Sequence, residues 1–63
     1  MAINLRAARI NAGLSRNAVC EALEMHPNTI ASYELYKTKP DMETAQKLCN
    51  LYGCKFDDIK WSM

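Results

Sequence analysis

Four side chains in this 63-residue chain carry a thiol or an imidazole, the groups suited to zinc binding or nucleophilic attack: Cys20, Cys49, Cys54 and the single histidine, His26. A closed zinc site takes four ligands at short recurring spacings. Here the one close pair is Cys49 and Cys54, in a C-x4-C arrangement, so no metal or other cofactor is expected. The thiols read instead as small hydrophobes destined for burial. An odd cysteine count without a secretory signal points to reduced thiols and a cytoplasmic location. Catalysis is as poorly provided for. One His, no glycine-rich phosphate loop and no nucleophile beside an evident base predict that the chain is not an enzyme.

Charge is the remaining chemistry. Eight Lys and Arg against seven Asp and Glu give a net charge of +1, a total that suggests no polyanionic partner. The distribution is less even. Residues 1–16 hold Arg6, Arg9 and Arg16 with no acid, and residues 17–36 hold Glu21, Glu24 and Glu34 with no Lys or Arg. A local patch, which a sum conceals, sets the field that a partner meets.

The length bounds what can position these groups. Sixty-three residues predict one domain over 1–63. A chain this short buries only about 60% of its unfolded surface, too little to wall a deep substrate cavity. Apolar residues make up 49%, but eight of them are Ala, so large core-formers are fewer than the figure implies. Two Gly and two Pro argue against a turn-rich all-β fold. The longest apolar runs are three residues, against roughly 20 for a membrane span, so a soluble chain with no membrane partner is expected.

Gly13, Pro27, Pro40 and Gly53 punctuate the chain into helix-sized pieces. Residues 2–12 are rich in helix formers, with Leu5, Ala8 and Ala12 on one face and Ile3 and Ile10 as a competing stripe. Gly13 suits the left-handed position after a helix. Ser15 is a good N-cap for a second helix over about 16–23, with Ala18, Val19, Ala22 and Leu23 as its apolar face. Pro27 suits the first position of a third helix reaching about Leu35, with His26 as its cap and Ile30 and Tyr33 inward. Asp41 caps a fourth, whose apolar face is Met42, Ala45, Leu48, Cys49 and Tyr52, ended by Gly53. Phe56, Ile59 and Trp61 anchor a final short helix, with Asp57 and Asp58 at its positive end. The expectation is an all-α fold of five short helices.

Helices two and three, joined by Glu24-Met25-His26, match the helix-turn-helix unit, spanning about residues 16–35. The series Gly13-Leu14-Ser15-Arg16, Val19-Cys20, Leu23, Met25, Thr29-Ile30 and Tyr33-Glu34 resembles the Cro and phage-repressor (XRE) helix-turn-helix domains. So does Lys37-Thr38-Lys39-Pro40 followed by Leu48-Cys49 and Tyr52-Gly53. The resemblance covers about residues 3–60. It implies a lambda-repressor-like fold and a sequence-specific, double-stranded-DNA-binding transcriptional regulator, a repressor, that reads operator DNA through the major groove.

The resemblance also implies roles. Arg9 would pair with Glu34 and brace the first helix against the end of the third. Arg16 would contact phosphate, as would the loop Lys37, Thr38 and Lys39. Base contacts would fall on His26, Pro27, Asn28, Thr29 and Ser32. Asn28 is the strongest reader, because Asn can bind adenine N6 and N7 together, whereas Pro27 offers only apolar contact. A homodimer is expected, formed through the C-terminal face or only on DNA.

Two positions depart from the family pattern. Glu24 stands where the turn usually has Gly, and Leu35-Tyr36 replaces the usual polar-Gly pair. The third helix could then run longer or exit differently, and Leu35 and Tyr36 could form an exposed apolar surface for a protein partner. That patch, the low net charge and Pro27 support an alternative: a protein-binding module of the same fold, an antitoxin or an antagonist of another regulator.

Overall fold

Asn4 decides where the first helix begins. In the computed structural model, which describes residues 2–62, its side-chain oxygen accepts the Ala7 N–H at 2.7 Å. Helix α1 therefore covers Leu5–Asn11, not 2–12, and Ile3–Asn4 is extended as β1. Of the competing stripes, Leu5 and Ala8 are buried and Ile10 is exposed.

Helices α2 (Arg16–Leu23), α3 (Pro27–Glu34) and α4 (Met42–Tyr52) start at their expected caps. Ser15 Oγ accepts the Ala18 N–H at 3.1 Å and Asp41 Oδ1 accepts the Thr44 N–H at 2.8 Å. Bonds from the Thr44 side chain and backbone hold the Asp41 carboxyl below its ordinary value. His26 is an unusual cap, and its Nδ1 accepts the Asn28 N–H at 3.1 Å.

All four helices end alike. A backbone N–H reaches the carbonyl five residues back: Leu14 to Arg9 at 3.2 Å, Met25 to Cys20 at 2.9 Å, Lys37 to Ser32 at 3.0 Å and Cys54 to Cys49 at 3.1 Å. This Schellman geometry needs a left-handed residue just before each donor. Those residues are Gly13, Glu24, Tyr36 and Gly53, with φ of 75°, 54°, 59° and 68°. Glu24 and Tyr36 each bear a steric cost of roughly 1 kcal/mol there. At Tyr36 the cost is offset. Its hydroxyl donates to the Lys60 carbonyl at 2.7 Å and accepts the Leu5 N–H at 3.3 Å. Helix α3 therefore neither lengthens nor exits differently.

The fifth helix is not formed. Phe56–Asp58 makes one 3-10 turn, and Ile59–Lys60 leaves it as strand β2. The Asp58 carboxylate accepts the Lys55 N–H at 3.1 Å, which closes the turn. β-Branched Ile59 then pairs in parallel with Ile3, and Lys60 with Asn4. The fold is thus four α-helices with a two-stranded ribbon, predominantly helical and not purely α. Trp61 Nε1 donates to the Phe56 carbonyl at 2.9 Å and its ring stacks on Phe56 with centroids 5.0 Å apart.

Leu5, Ala8, Val19, Cys20, Ile30, Leu48, Cys49, Tyr52 and Ile59 form the core. Ala22 and Met42, expected on apolar helix faces, are exposed instead. On α2 the inward face turns toward Cys20. Cys20 and Cys49 are buried free thiols, Cys54 is half-buried, and burial pushes the Cys49 and Cys54 thiols up. Among the described residues no cluster of His, Cys, Asp or Glu could hold a metal ion.

One core group is unsatisfied. The Tyr52 hydroxyl is buried with no hydrogen-bond partner among the described residues. Burial, and then the Glu34 charge, push its pKa from 10.0 up to about 12, against an opposing pull from Arg9. The fold thus favours the neutral phenol. That contribution is complete below the unfolded value of 10.0 and is lost as pH rises toward about 12. Tyr52→Phe should raise stability at neutral pH by up to about 1 kcal/mol, since an orphaned hydroxyl is removed. Melting temperatures from pH 9 to 12.5 should also fall less steeply than in the wild type. An unchanged alkaline slope together with a lower melting temperature would show that the hydroxyl has a partner.

Candidate nucleic-acid interface

The α2–turn–α3 unit is held from behind by an ion pair. Arg9, on α1, places Nε 2.7 Å from Glu34 Oε2 at the end of α3. Its Nη1 also donates to the Leu14 carbonyl at 2.9 Å, so one guanidinium ties α1, the loop before α2 and α3 together. Both side chains are buried, at 9% and 3% exposure. A charge pair sealed this way resists separation, because either ion alone would face a large desolvation cost.

With α3 fixed, its outward side chains are fixed too. Asn28, Thr29 and Ser32 line a shallow groove whose other wall is Thr38 and Lys39 from the loop after α3. The left-handed bend at Tyr36 brings that loop back beside the helix. Asn28 and Ser32 are one turn apart and share a face. Among the described residues the Asn28 side-chain amide makes no hydrogen bond; only its backbone N–H is used, as the donor to His26 Nδ1.

Other predicted site residues lie apart from this groove. His26 and Pro27 are exposed, but they line a separate depression with Glu21 and Glu24 from the end of α2. Lys37 is exposed and does not line the groove. Arg16 is half-exposed at the start of α2, and its Nη2 lies 3.8 Å from Glu34 Oε1. That carboxylate already holds Arg9, so Arg16 has a weak internal partner and a solvent-facing guanidinium.

Against Leu35-Tyr36 as one apolar patch, the two residues separate. Leu35 is 62% exposed, whereas Tyr36 is half-buried with its hydroxyl engaged at the N-terminus of α1 and at β2.

A family model described as helix-turn-helix matches residues 5–59, from the first residue of α1 to the first of β2. The chain belongs to the XRE-type helix-turn-helix family. Searches of curated proteins and of solved structures return no match. The family makes this a DNA-binding regulatory domain, and among the described residues no helix is long and apolar enough to cross a membrane. In helix-turn-helix domains the second helix of the unit is the one that enters the major groove, and α3 holds that place here.

One groove residue of this helix-turn-helix domain was not foreseen. Helical spacing places Tyr33 inward. Its ring does pack against the core, but the residue is half-buried and lines the groove beside Ser32 and Lys39. Its spacing of four from Thr29 is the signal that could have placed it there.

Proposed function

We propose that this domain is a sequence-specific transcriptional repressor that lays α3 in the major groove of operator DNA. What carries the reading is the single groove that joins Asn28, Thr29 and Ser32 to Thr38 and Lys39. Readers of base edges and donors to phosphate thereby meet on one surface. Asn28 reads adenine, Ser32 and Thr29 make shorter contacts, and Pro27 and His26, which lie outside that groove at the helix start, add base contacts at the margin of the DNA major groove. Arg16, Lys37, Thr38 and Lys39 hold the backbone. A cation gains nothing from the N-terminal end of a helix dipole, so Arg16 is suited to an external anion.

The domain would act as a homodimer on a near-palindromic site, with half-sites about one helical turn apart. Met42, Phe56 and Trp61, with Pro40, Ala45 and the edge residue Lys39, line a largely apolar depression on the C-terminal face that supports this assembly. Met42 and Phe56 are both exposed there, at 67% and 38%, so the depression carries apolar surface that a second copy could cover.

In vitro selection of bound duplexes tests the reading, because it reports binding, sequence and half-site spacing together. Enrichment of an inverted repeat is expected. No binding to any duplex at low salt would instead favour the protein-binding alternative, with exposed Leu35 as part of the contact surface. Lys39→Ala should weaken binding to selected and random duplexes alike. It should also lower the slope of log K against log salt by about one, as the loss of one phosphate contact requires. A loss confined to one sequence would contradict the phosphate assignment.

A further inference from the structure

The three tyrosines of this chain use their hydroxyls differently. Tyr36 bonds to Lys60 and Leu5. Tyr52 is buried without a partner among the described residues. The Tyr33 hydroxyl belongs to neither class: among the described residues it makes no hydrogen bond, and it is not sealed from solvent. Tyr33 is half-buried, its ring packs on the core, and it lines the groove with Thr29, Ser32, Thr38 and Lys39.

Position on α3 decides what that hydroxyl would meet. At 100° per residue, Tyr33 lies about 40° from Thr29 but about 140° from Asn28, the base reader. It is therefore on the flank of the helix facing the Thr38–Lys39 loop. The flanks of a helix in the major groove face the sugar-phosphate strands, and its outermost face meets the base edges. We propose that Tyr33 is a positioning contact for DNA, its phenolic O–H donating to a backbone phosphate oxygen beside the one held by Lys39. The proposal rests on the DNA-binding reading above. The packed ring makes it a stiff donor, since the fold has already restricted its rotamers. A stiff contact on the helix flank would set the depth and tilt of α3, and so the register in which Asn28 meets its base.

A neutral donor differs from a cation in a measurable way. It binds phosphate without displacing a condensed counterion, so its loss leaves the salt slope unchanged. Tyr33→Phe removes the O–H and keeps the packed ring. The variant is tested against a duplex recovered by selection with the wild-type protein and against a random duplex of the same length. Its melting temperature should match that of the wild type. Affinity should fall about five- to tenfold on both duplexes, with a salt slope equal to that of the wild type. Lys39→Ala, measured in parallel, should show the lower slope. Equal affinity of Tyr33→Phe and wild type at every salt concentration would overturn the proposal. So would a loss that depends on a single base pair, which would make Tyr33 a base reader. If the wild type binds neither duplex, the DNA-binding reading falls and this inference with it. Wild-type binding with an unaffected Tyr33→Phe removes the inference alone.

Discussion

Arg9→Ala is expected to destabilise the domain by about 3–5 kcal/mol, the range seen when one partner of a buried ion pair is removed. The range applies because both side chains are almost fully buried, with Nε and Oε2 2.7 Å apart. A domain below about 70 residues rarely has more than 3–5 kcal/mol of stability from its core, so the variant should be largely unfolded at 37 °C. Loss of the Leu14 contact adds to the cost. Arg9→Met combined with Glu34→Leu should melt above Arg9→Ala, because no uncompensated charge then remains in the interior. Circular-dichroism melts of these variants, with Arg9→Met and Glu34→Leu each alone to complete a double-mutant cycle, measure the coupling. A melting temperature for Arg9→Ala within a degree of the wild type would show that the pair contributes nothing.

Asn28→Ala should leave stability nearly unchanged and alter recognition. The Asn28 backbone N–H is what satisfies His26 Nδ1, and alanine keeps that N–H. Loss of a bidentate amide–adenine contact should cost about 1–3 kcal/mol at one base pair. Binding to a panel of single-base-pair variants of the selected operator would show the effect. The wild type should discriminate at one position where the variant accepts all four pairs, with an unchanged salt slope. If Asn28→Ala keeps the full wild-type preference at every position, α3 does not dock through this face. Lys39→Ala provides the contrast, since its loss should be sequence-blind and salt-dependent.

Part of the molecule was legible because the signals are local. Ser15, His26 and Asp41 mark helix starts, since a cap acts on an N–H two or three residues away. Glu24 and Tyr36 were recognisable as occupants of glycine-like positions, and the backbone took its left-handed turns there regardless. The price of doing so is modest, which is why a side chain could replace Gly without moving the helix end. The order of caps and apolar residues was enough to indicate the helix-turn-helix unit, and the +1 total charge was never the relevant quantity.

The remainder depended on residues that meet only when the chain closes. Ile3 and Ile59 lie near opposite ends, and neither alone distinguishes a strand from a helix end; their pairing replaced the fifth helix with β2. Tyr36 looks apolar and exposed in sequence, yet its hydroxyl bridges the N-terminus of α1 and β2. Composition showed that Arg16 and Glu34 carry opposite charges, but not that one carboxylate faces both Arg9 and Arg16. Helical spacing put Tyr33 inward, but only the position of the Thr38–Lys39 loop made its outer edge part of a groove. The sequence by itself determined where α2, α3 and α4 begin and end, because caps and left-handed stops act through hydrogen bonds within one or two turns. Tertiary structure decided which polar groups remain free to bind DNA, because that depends on which partners long-range packing has already supplied.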